Sequence, residues 1–239
     1  MFEAVAAGTA EAGVVPIENL VNGTVRENYD LLLEHELVII GEVVVPVRLC
    51  LAALPGERVD DIERVYSHIQ ALGQAEAFLR RRPWTLLTTY NTAGAGKLIA
   101  ERRERHAAAV LSPRAAALFG LEVLAADIQD VPDNRTRFIV LGRQSAGATR
   151  IQGPARTTVV FGVRNEPGSL LRALNTFAER EVNLSRLESR PSREKAWEYF
   201  FWTDADGAAD DANVAAALTH LRGVTTVVRV LGSYPRASD

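Results

Sequence analysis

The hydrophobic and polar positions between residues 12 and 142 follow two alternating patterns. Short apolar runs such as "GVVPIEN" and "HAAAVLS" are typical of buried strands, and Ala-rich segments with helical periodicity follow most of them. Strands that alternate with helices predict mostly parallel α/β sheets. The strand-like run 37–54 contains no helical pattern and could carry the chain from one lobe to another, and the segment 121–142 could return it. The pattern therefore predicts two lobes with a cleft between them.

The order of elements changes after a Gly-, Ala- and Ser-containing joint near residues 143–155. Four stretches beyond it alternate like strands, and two have helical periodicity: "EPGSLLRALNTFAEREV" follows the first strand, and "DANVAAALTHLRG" precedes the last. The third strand-like stretch is "AWEYFFWTDADG", residues 196–207. The resulting βαββαβ order over about 80 residues is that of a ferredoxin-like unit.

Composition narrows the class of protein. Of the 239 residues, 47% are hydrophobic and 24% are charged, which suits one large globular domain or two. The net charge of −3 gives no reason to expect nucleic acid or an anionic membrane as a partner. Cys50 is the only cysteine, so no disulfide can form within the chain, and the four histidines are scattered without ligand spacing. No apolar run approaches a membrane span and no signal peptide is visible, so we expect a cytoplasmic protein without a metal site.

Three junctions in the first domain join the end of an apolar strand to the start of a helix. They are "YSHIQALGQ" (66–74), "YNTAGAGK" (90–97) and "LSPRAA" (111–116). Free backbone N–H groups at a helix N-terminus accept carboxylate or phosphate, so these junctions predict a site for a small anion. The alternative is that their polar side chains only cap helices. The glycines of "NTAGAGK" lack the spacing of a P-loop, which argues against a phosphoanhydride substrate.

The stretch "DNRTRFIVLG" (133–142) places Thr136 between two arginines, just before an apolar run. Taken alone, it could be a polar strand entrance in which threonine was chosen for its β-branched side chain. Together with "GVVPIEN", "GTVRENYDLL", "HIQALGQAEAFL" and "NTAGAGKLIA", however, it resembles in order and spacing the signatures of prephenate dehydratases. The C-terminal domain, with "PGSLLRAL" (167–174) and "ESRP" (188–191), resembles the ACT regulatory domain of those enzymes.

The resemblance covers nearly the whole chain and implies both a fold and a reaction. The fold is α/β: a two-lobed, periplasmic-binding-protein-like catalytic domain over residues 1–145, with the family's first strand and helix apparently missing, and a ferredoxin-like ACT domain over residues 155–235. The reaction is the conversion of prephenate to phenylpyruvate with loss of carbon dioxide and water and without a cofactor. Thr136 would be the catalytic residue. Substrate-binding roles are implied for Asn19, His68, Gln70, Asn91, Thr92, Ser112, Arg137 and Phe138.

The resemblance also implies L-phenylalanine as an effector that binds between ACT domains. The effector-binding residues would be Pro167, Gly168, Ser169, Leu170, Asn183, Leu184, Glu188, Ser189, Arg190 and Pro191. For Glu188 and Arg190 the alternative is a surface ion pair. A ferredoxin-like unit exposes strand edges, so we expect a homodimer or homotetramer.

Two other kinds of protein would fit the same features. One is a noncatalytic, phenylalanine-binding regulatory protein derived from this family. The other is a two-lobed small-anion binding protein, against which the missing signal peptide and the appended ACT-like domain argue.

Overall fold

A computed structural model describes residues 1–143, 151, 153–191 and 199–237. The chain divides into two compact units: unit 1 contains Met1–Asn19, Gly23–Val44 and Arg137–Asp239, and unit 2 contains Leu20–Asn22 and Val45–Thr136. Both main changes of unit fall inside the segments 37–54 and 121–142, which were predicted to carry the chain between lobes. Most of the predicted joint at 143–155, and the first three residues of the stretch 196–207, lie outside the described residues.

Helices and strands follow the predicted order closely. In chain order they are α1 (Phe2–Ala6), β1 (Gly13–Asn19), β2 (Gly23–Thr24), α2 (Arg26–Glu34), β3 (Leu37–Pro46), β4 (Cys50–Ala53), β5 (Arg64–Ser67), α3 (Ile69–Gln74), α4 (Glu76–Leu79), β6 (Thr85–Thr88), α5 (Thr92–Arg102), β7 (Ala107–Leu111), α6 (Pro113–Leu118), β8 (Glu122–Ala125), β9 (Arg135–Arg143), β10 (Ala155–Gly162), α7 (Ser169–Ala178), β11 (Leu184–Pro191), β12 (Tyr199–Asp206), α8 (Ala212–Val224) and β13 (Val227–Pro235). No helix in the described part of the chain is long and apolar enough to cross a lipid bilayer.

Unit 2 is built on a five-stranded sheet of order β6-β5-β7-β4-β8. Strands β6, β5 and β7 are parallel, as predicted, but β4 runs antiparallel to both β7 and β8. The expectation of a mostly parallel sheet is therefore wrong at β4. This strand enters the sheet directly from β3 of the first sheet, only three residues earlier, so no strand–helix unit within this sheet precedes it to set a parallel direction.

Both faces of this sheet are covered, which explains why strands β4 and β7 are apolar at every position. Leu51 and Val110 belong to the core on one face, whereas Cys50 and Leu111 belong to the core on the other. Alternate residues of a strand point to opposite faces, so a strand that is buried on both sides reads as one apolar run. The Cys50 thiol is fully buried, and burial, followed by the nearby Asp127 carboxylate, raises its pKa to about 11.

Unit 1 contains two four-stranded sheets. The first sheet has the order β2-β1-β9-β3, and the C-terminal sheet has the order β11-β12-β10-β13. Neighbouring strands of the C-terminal sheet are antiparallel throughout, and its βαββαβ order confirms the predicted ferredoxin-like unit.

One hydrophobic core joins the two sheets of unit 1. Ile17 and Ile139 of the first sheet belong to the same buried cluster as Val160 and Trp202 of the C-terminal sheet. Trp202 is 1% exposed, and its ring meets the ring of Tyr29 edge-on at 4.8 Å. The C-terminal sheet therefore packs against the first sheet as part of one folded body, while α7 and α8 cover its other face.

Candidate active site

Three helices begin at one edge of the unit 2 sheet. Helices α3, α5 and α6 follow the parallel neighbours β5, β6 and β7, respectively. Because the carboxyl ends of parallel strands meet at the same edge, the three helix N-termini lie on one side of the sheet. We call it the capped edge. It brings together five of the predicted substrate-binding residues: His68, Gln70, Asn91, Thr92 and Ser112.

Side chains cap each of these helices. Asn91 Oδ1 accepts a hydrogen bond from the Gly94 amide at 2.6 Å, and Ser112 Oγ accepts one from Ala115 at 3.2 Å. His68 Nδ1 faces the Gln70 amide at 3.3 Å. Asn91 and Ser112 therefore cap their helices, and the capped helices direct their remaining N–H groups and positive dipole ends toward the same edge.

Thr136 lies at the chain's return from unit 2 to unit 1. It is the second residue of β9, is half-buried, and follows Arg135, whose Nε donates to Asp133 at 2.8 Å. β9 lies between β1 and β3 in the first sheet. A central strand is paired on both sides, so the backbone that carries Thr136 is well fixed.

Arg137 is held in a buried cluster. Its Nε donates to Glu42 at 2.7 Å, one terminal nitrogen donates to Asp204 at 2.6 Å, and the other donates to the Tyr234 hydroxyl at 3.1 Å. The side chain is only 12% exposed. All three guanidinium nitrogens therefore have partners within unit 1, and the substrate-binding role of this side chain stays a prediction.

The cluster around Arg137 is closed by a ring of hydrogen bonds. Thr158 Oγ1 donates to Asp204 Oδ1 at 2.6 Å, so the 2.7 Å contact between Thr158 and Tyr234 requires the tyrosine to donate. Arg137 completes the ring by donating to both Tyr234 and Asp204. Burial and then the Asp204 carboxylate raise the pKa of the Tyr234 phenol, which keeps this donor protonated.

Charge is balanced in the same cluster. Glu42 accepts from Arg137 and also from Arg156, at 2.7 and 2.9 Å, and its side chain is 1% exposed. Burial alone would lower the pKa of Arg137, but Asp204, Tyr234 and Glu42 raise it above its ordinary value. Two carboxylates thus face two guanidinium groups, the arrangement that buried charges require.

Two further predicted residues lie in the first sheet. Asn19 ends β1 and is 8% exposed, and Phe138 is a half-buried residue of β9. The carboxylate of the neighbouring residue, Glu18, lies 3.8 Å from the Arg186 guanidinium. Within the described residues no group of three His, Cys, Asp or Glu could hold a metal ion.

The family model described as prephenate dehydratase matches residues 1–146. The chain belongs to the prephenate dehydratase family. A second model, described as ACT domain, matches residues 157–223, which contain most of the C-terminal sheet.

Individual relatives agree with the family. Arogenate dehydratase/prephenate dehydratase 2 of Arabidopsis thaliana is 42% identical over 245 residues, which cover 98% of this chain and 64% of that protein. This chain therefore spans less than two thirds of the length of the curated relative. A solved prephenate dehydratase from Arthrobacter aurescens, in complex with L-Phe, is 41% identical with a TM-score of 0.88 and covers 98% of this chain and 78% of its own.

A third relative shows that the fold does not decide the reaction. GqqA, described as a novel type of quorum quenching acylase, is 32% identical with a TM-score of 0.87, covering 99% of this chain and 86% of its own. The predicted fold class is confirmed: a two-lobed, periplasmic-binding-protein-like α/β domain followed by a ferredoxin-like ACT domain. The reaction has to be argued from the site.

In the ACT domain of this prephenate dehydratase family member, the predicted effector residues fall into two groups. Gly168 caps α7 with a φ of +79°, in the left-handed region that favours glycine, and follows the strand end at Gly162. Leu184, which follows Asn183, begins β11 opposite Ala205, whereas Gly162 lies opposite Phe200. Five residue steps along β12 separate these points, roughly 17 Å at about 3.4 Å per residue. Within one chain, Gly168 and Asn183 therefore lie at opposite ends of the sheet.

Alternate side chains of β11 contact the first part of unit 1. Glu188 accepts from Thr24 Oγ1 at 3.0 Å, and Arg190 donates to Asp30 at 2.8 Å. Arg186 lies over the Tyr29 ring at 4.8 Å and was not predicted from the sequence. The surface ion pair considered for Glu188 and Arg190 is therefore wrong, because both side chains bind residues near β2 and α2 instead.

Proposed function

We propose that this chain catalyses the decarboxylating dehydration of prephenate to phenylpyruvate, within a catalytic domain over residues 1–145, under regulation by L-phenylalanine bound to the domain over residues 155–235. The observation that carries the proposal is the meeting of three family-like motifs at the capped edge. His68, Asn91 and Ser112 each come from a different motif, and each begins a helix there. Such an edge suits the side-chain carboxylate of the substrate.

Thr136 acts on the leaving hydroxyl in this proposal. Formation of an aromatic ring supplies the driving force, so the protein has to orient prephenate and assist the departure of hydroxide, a poor leaving group. A hydroxyl donor aimed at that oxygen stabilises the charge that develops there in the transition state. The threonine hydroxyl is not acidic in water, so we assign it a hydrogen bond rather than a full proton transfer.

The pairing of the Arg137 charge with carboxylates is compatible with the loss of carbon dioxide. The ring carboxylate has to leave as neutral carbon dioxide, and a free guanidinium beside it would stabilise the ground state more than the transition state. Arg137 is bound to Glu42 and Asp204 and so does not offer an uncompensated positive charge. The bond between the ring and the carboxylate then breaks, and carbon dioxide leaves. The electron pair of that bond moves into the ring as hydroxide departs.

Prephenate is favoured over arogenate by the groups at the capped edge. Arogenate carries an ammonium group where prephenate has a keto oxygen, and an ammonium taken out of water needs a carboxylate to balance its charge. His68, Gln70, Asn91, Thr92 and Ser112 can donate to a keto oxygen, and none of these five residues is a carboxylate. We expect kcat/KM to be higher for prephenate than for arogenate, measured by phenylpyruvate and phenylalanine formation, respectively. Equal values, or a preference for arogenate, would contradict this assignment.

The decisive experiment is an assay of the purified chain with prephenate and no added cofactor, in the presence and absence of EDTA. We expect phenylpyruvate in both. A protein that gives no product but binds phenylalanine would support the noncatalytic regulatory alternative. One that binds prephenate without turnover and ignores phenylalanine would support the small-anion binding alternative.

The effector site in this proposal lies between two ACT domains. Because Gly168 and Asn183 lie at opposite ends of one sheet, an antiparallel pair of domains would place Gly168 of one chain near the partner's Asn183. The ligand carboxylate would meet the N-terminus of α7, and Leu170 would contact the ring. Glu188 and Arg190 hold β11 against the first part of unit 1, while Ser189 and Pro191 lie on its exposed face.

Gly168→Val is expected to abolish phenylalanine binding and inhibition. Valine is strained at a φ of +79° and fills the space beside the N–H groups of α7. Gly153→Val is the matched control, since Gly153 also has a positive φ, of +87°, and lies just before the ACT domain, outside the proposed site. Calorimetric titration and inhibition assays should show loss only in the Gly168 variant. Unchanged phenylalanine affinity in that variant would place the effector site elsewhere.

A homodimer or homotetramer is also expected. β11 stands at one end of the C-terminal sheet, and Leu187 on its outer face is 45% exposed. Pairing of two such edges would cover their backbone groups and apolar side chains. Light scattering at micromolar concentration should give an even multiple of the 26.1 kDa chain mass. A monomer would contradict both this assembly and an effector site shared between chains.

A further inference from the structure

We propose that Asp204, a residue of the C-terminal sheet, positions Thr136 for catalysis through Arg137. The inference rests on the proposed function, because it requires Thr136 to act on the leaving hydroxyl. Asp204 is 67 residues away from Arg137 in the chain and is not part of any motif that marks the active site. Its carboxylate is the strongest link between Arg137 and the C-terminal sheet, at 2.6 Å.

The geometry of β9 explains how this link would reach the reaction. Successive residues of a strand point to opposite faces, so the side chain of Arg137 leaves one face of β9 and that of Thr136 leaves the other. Asp204 and Tyr234 hold Arg137 from the C-terminal sheet, and Glu42 holds it from the neighbouring strand β3. Because Arg137 is fixed in this way, the position and orientation of the β9 backbone at Thr136 are fixed as well.

The position of the Thr136 hydroxyl depends strongly on the position of the backbone. Its hydroxyl sits on Cβ, so a single side-chain torsion and the backbone decide where the oxygen lies. A shift of about 1 Å in a catalytic group can cost ~10²-fold in rate. Asp204 is 5% exposed in its side chain and is held from two sides, by Arg137 and by Thr158, which makes it a rigid anchor rather than a mobile surface charge.

The cluster could instead contribute stability alone, and two variants separate these roles. Asp204→Asn keeps the shape but removes the charge, and we expect kcat to fall about tenfold or more with KM within about threefold of wild type. Tyr234→Phe removes only the hydroxyl that accepts from Arg137, so it disturbs folding less, and it should lower kcat about threefold with the same unchanged KM.

The matched control is Asp30→Asn. It breaks the Arg190–Asp30 pair, a second part-buried ion pair between the C-terminal sheet and the first part of unit 1, at 2.8 Å. This pair has no bond to Arg137, so we expect kcat to equal that of wild type even if the melting temperature falls. Circular dichroism at the assay temperature verifies that each variant is folded.

The most specific test is a double-mutant cycle, which measures whether the effect of each substitution on kcat depends on Thr136. In a Thr136→Ala background, Asp204→Asn and Tyr234→Phe should each change kcat by less than about twofold, because the group they position is gone. If either substitution lowers kcat by the same factor with and without Thr136, or leaves kcat of the folded single variant unchanged, the positioning role is overturned. Should Asp204→Asn fail to fold, the Tyr234→Phe cycle decides alone. Wild-type protein without turnover would remove the proposed function and this inference with it, whereas an active wild type with uncoupled variants removes only the inference.

Discussion

Thr136→Ala is expected to lower kcat by at least ~10²-fold, the usual scale for the loss of an acid or an oxyanion-type donor. The substitution removes the hydroxyl that the proposal aims at the departing hydroxide and leaves the rest of β9 in place. KM should change little, because the lost interaction forms mainly in the transition state. Steady-state assays with prephenate give both constants, and thermal unfolding verifies that the variant is folded.

Thr136→Ser is the matched control, since serine keeps the hydroxyl and removes only the methyl group. It should keep much more of the activity than alanine does. Small and equal effects of both substitutions would return Thr136 to the role of a β-branched residue at a strand entrance.

Gly232→Ala is expected to destabilise the folded protein by at least about 3 kcal/mol, the upper end of the cost of overpacking. Gly232 lies in β13, opposite Thr158, where this strand passes the backbone of β3. A Cβ atom there would overlap the carbonyl oxygen of Ile39, and a backbone oxygen in a paired strand cannot move aside without disturbing its neighbours. Residues of both sheets form one core in unit 1, so pushing β13 away from β3 would also disturb the packing of the C-terminal sheet against the first sheet.

Gly223→Ala provides the comparison. Gly223 is an exposed residue of α8, and a Cβ atom there meets nothing within 4 Å. Alanine is a better helix former than glycine, so this variant should gain about 0.5–1 kcal/mol. Urea unfolding of both variants measures the difference. Similar stability of the two would mean that β13 does not approach β3 as closely as the geometry indicates.

Much of the local structure could be predicted from the sequence. The strand of "GVVPIEN" and the helix starts at Asn91 and Ser112 were found because periodicity and capping depend on residues within one or two turns of each other. The βαββαβ order after the joint was predicted for the same reason. The direction of β4 was missed, because strand direction depends on how a connection crosses the sheet rather than on the strand's own residues.

The partners of Arg137 show where sequence reasoning ends. As a sequence feature, Arg137 is a charged residue beside Thr136, and substrate binding was a reasonable prediction for it. Its partners Asp204 and Glu42 lie 67 and 95 residues away, and no periodicity or spacing connects positions so far apart. Only the packing of the C-terminal sheet onto the first sheet brings these charges together, and their burial is what makes the pairing necessary. Local patterns and motifs were therefore enough to predict the order of the elements, the family and the residue proposed to do the chemistry. The distant charges that hold the neighbour of that residue could be found only in the folded protein, because long-range contacts arise from the packing of complete elements against each other.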